Sequence, residues 1–335
     1  MAKSILGIDF GTDRLKLALV KNGKVRTCVT VPTPESLVKN GWVVSIEAAA
    51  KLIHDACREN GIRASRAALL LNGDNVFVRN VTLPRMTQSQ LAYNLPYEFR
   101  AYITDELRNY AFDYAMISTP QDLAQPPAED EEGGSMELLA AACPVTLLED
   151  ARAMLRKAGL KLEKAAPPVS AWSSLIRASF GNAQDREFCI LDIGSTSIRM
   201  YMFRGDSHTA THNIETGTAI IEQALAEETG ADIHLARTYL LTNHEGCQTG
   251  ETCSAVYNRI SVELVRALNF YRFSNPESKL QDLWLSGGGA DIAPLRQLLQ
   301  NTPGYTVHTA ADLLPDGASV ENPNALIQAI GITLD

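Results

Sequence analysis

The sequence has no excess of positive charge, no long apolar run and no paired cysteine motif. Of its 335 residues, 30 are Lys or Arg and 39 are Asp or Glu, so the formal net charge is −9. Nucleic-acid-binding proteins normally carry a basic surface, and this balance argues against that class. No apolar stretch approaches the roughly 18–20 residues that cross a bilayer, and the chain opens without the pattern of a signal peptide. We therefore expect a cytoplasmic protein that does not insert into a membrane by itself.

The six cysteines are scattered, which in a cytosolic chain is typical of reduced thiols. The segment "HEGCQTGETC" brings His244, Cys247 and Cys253 close together, and all three side chains are possible zinc ligands. Structural zinc sites usually have four ligands with CxxC-type spacing. We expect an ordinary surface loop here, with zinc binding as the alternative.

One short pattern occurs twice, as "GIDFGT" from Gly7 and as "LDIGSTS" from Leu191. In each copy a strand ends near an aspartate, a glycine turn follows, and the chain returns as a second strand. Backbone N–H groups in such a turn attract anions, and Lys16 on the first returning strand can reach a phosphate. Asp9 needs a cation between itself and a phosphate, a role that suits Mg²⁺. The alternative for each copy alone is a hairpin without a ligand.

A third glycine-rich element, "LWLSGGGADIAPL", places three consecutive glycines between a strand and a helix. Backbone without side chains can approach phosphates or a flat ligand closely at such a turn. Taken alone, the segment is equally typical of a tight connection between a strand and a helix.

The two hairpins and the late glycine turn, in this order, resemble the actin/Hsp70/sugar-kinase superfamily. The resemblance implies an α/β, actin-like fold of two domains around a nucleotide cleft. The stretch "LPRMTQSQLAYNLPYEFRAYITDELRNYAFDY" and the ending "NPNALIQAIGITL" are similar to the inserted subdomain and closing helix of the PilM family of type IV pilus assembly proteins. FtsA carries the same type of insert, so we expect a PilM/FtsA-type subdomain.

The resulting domain prediction divides the chain into five segments. They are a first actin-like domain at 1–83, the insert at 84–165, a connection at 166–185, a second actin-like domain at 186–324 and a closing helix at 325–335. Within the insert, the acid-rich segment 121–135 is predicted to be a loop.

The resemblance also implies ATP and Mg²⁺ as ligands, with Asp9 and Asp192 holding the metal through water. The nucleotide-binding residues that it implies are Asp9, Gly11, Thr12, Asp13, Lys16, Asp192, Gly194, Ser195, Thr196, Ser197, Gly217, Arg237, Gly287, Gly288, Gly289 and Ala290. Two positions depart from the superfamily pattern. Thr196 replaces a glycine of the second hairpin, and His234 with Arg237 replaces the Glu-x-x-Lys that borders the adenosine.

Family resemblance further implies a scaffold that docks the N-terminal cytoplasmic tail of a PilN-like inner-membrane protein, which would recruit it to the inner face of that membrane. Other pilus ATPases are further candidate partners. We expect the tail to lie between the first domain and the insert. Its candidate wall is Tyr93, Tyr97, Phe99 and Tyr102, of which at least two are expected in the core of the insert.

No catalytic residue is assigned from the sequence. Hydrolysis needs a group that positions the attacking water, and the connection from Ala165 to Gly181 contains no Asp, Glu or Gln. We therefore expect ATP binding with weak or no hydrolysis. Two alternatives stay open at this point: a small-molecule kinase of the same superfamily, and a related scaffold that binds no nucleotide.

Overall fold

The structure is a computed structural model that describes residues 4–117, 134–181, 186–314 and 320–334. Most of the predicted acid-rich loop, residues 121–133, lies outside these ranges. The described chain forms two five-stranded sheets, a three-stranded sheet and a short two-stranded ribbon.

The first lobe is built on a sheet with the strand order β10-β6-β1-β2-β3. Its strands are β1 (Ser4–Phe10), β2 (Arg14–Lys21), β3 (Lys24–Pro32), β6 (Arg66–Leu70) and β10 (Lys161–Ala166), with the ribbon β4 (Val38–Lys39) and β5 (Trp42–Val43) beside it. An Asn-Gly turn joins β2 to β3, with positive φ at both Asn22 and Gly23. Helices α1 (Ile46–Glu59) and α3 (Val145–Lys157) cover its outer face and form one apolar cluster with it.

The insert is a three-stranded antiparallel sheet in the order β7-β9-β8. It contains β7 (Phe77–Pro84), β8 (Tyr110–Met116), β9 (Ser135–Pro144), α2 (Gln88–Asn94) and a 3₁₀ turn (Leu95–Phe99). Thr87 caps α2 through a capping box with Gln90. The predicted limits of 84 and 165 need correction, because β7 already pairs with β9 while α3 and β10 pack in the first lobe.

The second lobe repeats the topology of the first, with the strand order β13-β12-β11-β14-β15. Its strands are β11 (Glu187–Ile193), β12 (Ile198–Arg204), β13 (Ser207–Ile214), β14 (Asp282–Ser286) and β15 (Thr306–Thr309). Its helices are α5 (Ala219–Thr229), α6 (Ile233–Thr242), α7 (Glu251–Ser274) and α8 (Ala293–Gln300). In both lobes an antiparallel three-stranded meander adjoins two parallel strands, so the sequence repeat is part of a fold repeat.

Two helices, α4 (Pro168–Phe180) and α9 (Pro323–Gly331), pack against each other and against both lobes. Helix α9 crosses β1 so closely that a β-carbon at Gly7 would lie 1.7 Å from the carbonyl oxygen of Ala329. Gly331 allows the same close approach to α4, at the carbonyl oxygen of Ala171. Small residues at these crossings set the position of α9 beneath the two hairpins.

Candidate functional site

The two repeated hairpins close in the same way. The Gly11 N–H donates to the carbonyl oxygen of Arg14 at 3.0 Å, and the Gly194 N–H donates to that of Ser197 at 3.0 Å. Asp9 and Asp192 therefore reach equivalent positions near the ends of β1 and β11. The two aspartates differ in solvent exposure: Asp9 is buried, whereas Asp192 is half-buried.

Both carboxylate oxygens of Asp9 already have partners within the first lobe. Lys16 donates to Oδ2 at 2.8 Å, and Asn72 donates to Oδ1 at 2.7 Å. Burial alone lowers the pKa of Lys16, but Asp9 and Asp192 raise it, and the balance is a raised pKa. Lys16 therefore carries a protonated ammonium group, which contacts Asp9 and is influenced electrostatically by Asp192.

Asp192 receives its hydrogen bond from the closing helix, where the amide of Gln328 donates to Oδ2 at 2.8 Å. Burial raises the pKa of this carboxyl, while Lys16 and Gln328 lower it, and burial prevails. The nearby charge of Asp9 adds to the rise. A further cation close to Asp192 would therefore favour its ionised form.

The glycine turn after β14 packs against the second hairpin. Gly287 has a φ of 81°, and a β-carbon there would lie 2.7 Å from Asp192 Oδ1. A β-carbon at Gly289 would collide with Ile193, and Ala290 is fully buried in the second-lobe core. Only Gly288 of the three has open space at its β-carbon, so the turn's first role is to fit the hairpin.

Gly217 also belongs to this packing, because its β-carbon would lie 2.2 Å from the carbonyl oxygen of Ser195. The turn residues Gly194 and Ser195 accept hydrogen bonds from Thr218 and Ala219 at the start of α5. The remaining predicted turn residues lie at the surface of the cleft: Thr12 and Thr196 are exposed, and Asp13, Ser195 and Ser197 are half-buried.

Arg237 on α6 links the two lobes. Its guanidinium lies 3.2 Å from Asp13 Oδ1 in the first hairpin turn, and its Nε donates to Glu222 on α5 at 2.9 Å. Next to it, His234 Nε2 lies 3.1 Å from Glu35 of the first lobe. Burial raises the pKa of Glu222, against the lowering effect of Arg237. The two residues that replace the Glu-x-x-Lys pattern thus face acids across the cleft.

Three residues of this site were missed at the sequence level: Asn72, Gln328 and Glu222. A signal for Gln328 exists, because Asn324 and Gln328 are the buried polar residues of an otherwise apolar helix, one turn apart. Asn72 follows the buried strand β6 next to β1, where the carboxyl ends of parallel strands meet. Asn72 was discoverable only with the strand order in hand.

The four predicted wall residues of the insert have different environments. Tyr93 is 70% exposed, and with Tyr97 it lines a groove of about 680 Å³ formed by residues 92–112. Tyr102 lies outside this groove beneath Arg79, with 4.0 Å between the guanidinium carbon and the ring centroid. Phe99 must be removed from the wall, because it is fully buried against Phe112 in the insert core. It is also the only one of the four in that core, where we had expected at least two.

The possible zinc ligands are separated by their packing. Cys253 is buried in the second-lobe core, the thiol of Cys247 lies 3.2 Å from the carbonyl oxygen of Tyr239, and His244 stacks on the Tyr239 ring. Within residues 4–117, 134–181, 186–314 and 320–334, no group of three or more His, Cys, Asp or Glu side chains is arranged to hold a metal.

The carboxylates of the two hairpins are of the type that binds a metal shared with a ligand. Asp9 and Asp192 are carboxylates on facing hairpins, and a hard cation such as Mg²⁺ accepts one or two carboxylates together with water and phosphate oxygens. Asp9 and Asp192 would hold such an ion through water, because direct ligation by Asp9 would displace Lys16 or Asn72.

Comparison with known proteins identifies the fold. The structure matches a solved PilM–PilN type IV pilus biogenesis complex with a TM-score of 0.80 and 23% identity, covering 98% of this chain and 97% of that one. The ethanolamine utilization protein EutJ from Carboxydothermus hydrogenoformans matches with a TM-score of 0.61, 14% identity and coverage of 98% and 90%. An archaeal actin homologue matches with a TM-score of 0.51, 12% identity and coverage of 98% of each chain. These likenesses confirm the predicted actin-like fold.

No curated protein matches the sequence significantly. In the described part of the chain, no helix combines the length and apolar character needed to cross a membrane. The model of the family "Type IV pilus assembly protein PilM" matches residues 7–314. The chain thus belongs to the PilM family of type IV pilus assembly proteins.

Proposed function

We propose that this protein is a nucleotide-binding scaffold of type IV pilus assembly, which binds Mg²⁺–ATP between its lobes and docks the tail of an inner-membrane partner. The observation that carries the nucleotide site is the pair of equivalent hairpins, each with an aspartate beside a glycine turn. Lys16 supplies positive charge between the aspartates. Bound Mg²⁺ would neutralise phosphate charge, and Asp9 and Asp192 would orient its water ligands.

Titration calorimetry with Mg²⁺–ATP tests this site. Asp9→Asn and Asp192→Asn are expected to abolish binding, because each removes a carboxylate charge that the metal needs. Asparagine is preferable to alanine at position 9, since Asp9 is buried and its loss would leave Lys16 without a hydrogen-bond acceptor. Asp150→Ala on the exposed side of α3 is the control. Unchanged ATP affinity in both cleft variants would refute the assignment.

For the partner, we propose that a short extended tail of a PilN-like membrane protein binds the groove of the insert and recruits the chain to the cytoplasmic membrane. All lining residues of this groove belong to the insert, so the proposed site differs from the expected one between the first domain and the insert. The family match and the solved PilM–PilN complex support a partner of this kind. Tyr93 and Tyr97 offer aromatic surface, with their ring centroids 5.7 Å apart. β8 is an edge strand of the insert sheet next to the groove, so a tail can add backbone hydrogen bonds there.

Tail capture by immobilised protein tests the docking site. Tyr93→Glu and Tyr97→Glu are expected to weaken capture without affecting ATP binding, because a charge would then be buried under the tail. Tyr102→Glu is the matched control, as an exposed tyrosine of the same insert outside the groove. Crosslinks from the tail to α7 near Tyr257–Phe273 would place the docking site in the second lobe and overturn this proposal.

A further inference from the structure

The fold repeat places a cation opposite each hairpin aspartate. Asp9 pairs with Lys16 in the β1–β2 register, and Asp192 pairs with Arg199 in the β11–β12 register. Directly opposed residues of antiparallel strands share a face, with β-carbons about 4.5–5.5 Å apart. Arg199 is therefore the second-lobe counterpart of Lys16.

The two cations differ in what they contact. Lys16 forms an ion pair with Asp9 at 2.8 Å, whereas Asp192 accepts its hydrogen bond from Gln328. No carboxylate among the described residues forms an ion pair with Arg199, although Asp192 and Asp74 lie close enough to influence it electrostatically. The guanidinium also forms a hydrogen bond with the phenol of Tyr201. An arginine is always charged in proteins, so Arg199 is a half-buried cation without an ion-pair partner among the described residues.

Arg199 lies near the boundary between the two lobes. Tyr201, on the same face of β12, is buried, and burial raises the pKa of its phenol, which stays neutral. Asp74 follows the first-lobe strand β6, so Arg199 lies where the two lobes approach each other. The proposed nucleotide would bind at this boundary, so its phosphates are the anions that can reach Arg199.

We propose that Arg199 binds a phosphate of the nucleotide in the cleft, while Lys16 serves chiefly as the counter-ion of Asp9. A guanidinium offers two parallel N–H donors that match two phosphate oxygens, which a lysine ammonium cannot do. This inference rests on the proposed nucleotide site and adds to it a phosphate-binding side chain from the second hairpin.

Calorimetric titration of the full chain with Mg²⁺–ATP and with adenosine provides the test. Arg199→Met is expected to weaken ATP binding by about tenfold or more, because a charge-assisted hydrogen bond is lost. Its affinity for adenosine, which has no phosphate, should stay at the unchanged protein's level, whereas a general structural defect would lower both. Arg204→Met is the control on the same strand, because Arg204 pairs with Glu187 at 3.2 Å at the far end of β12.

The outcomes separate this inference from the nucleotide site. If the unchanged protein binds Mg²⁺–ATP and Arg199→Met binds it equally well, the role of Arg199 is refuted and the site stands. If the unchanged protein does not bind Mg²⁺–ATP, both fall. Should Arg199→Met fail to fold, Arg199→Gln keeps a polar partner for Tyr201, and undiminished ATP affinity in that variant would refute the proposal.

Discussion

Arg237 of the second lobe lies 3.2 Å from Asp13 in the first hairpin turn, so one ion pair spans the mouth of the cleft. The same guanidinium is fixed within its own lobe by Glu222. Both Arg237 and Asp13 were expected to bind nucleotide, and in this structure they bind each other. Because these side chains are partly exposed, the pair stabilises the protein by less than about 1 kcal/mol, but it can still set the separation of the lobes.

Replacing this arginine should loosen the cleft without unfolding the protein. In Arg237→Met we expect faster amide hydrogen exchange in the first hairpin turn and at the start of α6, since the contact between them is lost. Arg66→Met is the control, because Arg66 pairs with Glu163 at 3.0 Å inside the first lobe with similar exposure. The prediction would be contradicted if the amide exchange rates in the cleft were the same in the unchanged protein, Arg237→Met and Arg66→Met.

A methyl group at position 7 should destabilise the fold. In Gly7→Ala the β-carbon meets the Ala329 carbonyl oxygen at 1.7 Å, and α9 must move to relieve the overlap. Overpacking of this kind costs about 1–3 kcal/mol or more in free energy of unfolding. Gly288→Ala has open space at its β-carbon, and its stability should change by less than about 0.5 kcal/mol. Equal denaturation midpoints for the two variants would show that α9 does not pack as described.

Acid should destabilise the protein through His208. Burial lowers the pKa of His208 from 6.5 to about 4, so the folded state resists a proton that the unfolded chain accepts. Above pH 6.5 the protonation of His208 costs the protein no stability. As the pH falls below 6.5, the free energy of unfolding decreases, and the decrease reaches about 3 kcal/mol near pH 4. Denaturant unfolding of His208→Gln should show a shallower loss of stability over this range. His212→Gln, exposed on the same strand, should keep the original slope, and a shared slope for both variants would refute the role of His208.

Turnover of ATP by the isolated chain should be slow. Helix α4 forms most of the connection between the lobes and carries no acid or glutamine, and the amide of Gln328 already donates to Asp192. We expect phosphate release well below about 1 per second, the lower end of common enzyme rates. Asp192→Asn provides the background for this assay. Rapid Mg²⁺-dependent release above that background would mean that another group positions the water.

The hairpins were predictable because their determinants are local: the aspartate, the glycine turn and the opposed cation lie within a few residues. The spacing from Asp9 to Lys16 recurs from Asp192 to Arg199. Only the strand register shows that each aspartate lies opposite its cation. Asn72 and Gln328 reach the aspartates from distant elements, and a local pattern cannot show that. The limits of the insert were misjudged because alternation predicts a strand without telling which sheet it joins. Phe99 was misplaced because the 3₁₀ turn at Leu95–Phe99 does not follow α-helical periodicity.

The close packing of α9 against β1 also affects the order in which parts of the chain can fold during synthesis on the ribosome. Strand β1 emerges before the other strands of both sheets, whereas Pro323–Gly331 emerges only after both sheets have been synthesised. Until then the face of β1 at Gly7 lacks its covering helix, and α4 lacks its neighbour. Contacts this distant in sequence form slowly. Apolar surface of the nascent first lobe therefore stays exposed to solvent or to a chaperone until α9 packs against it.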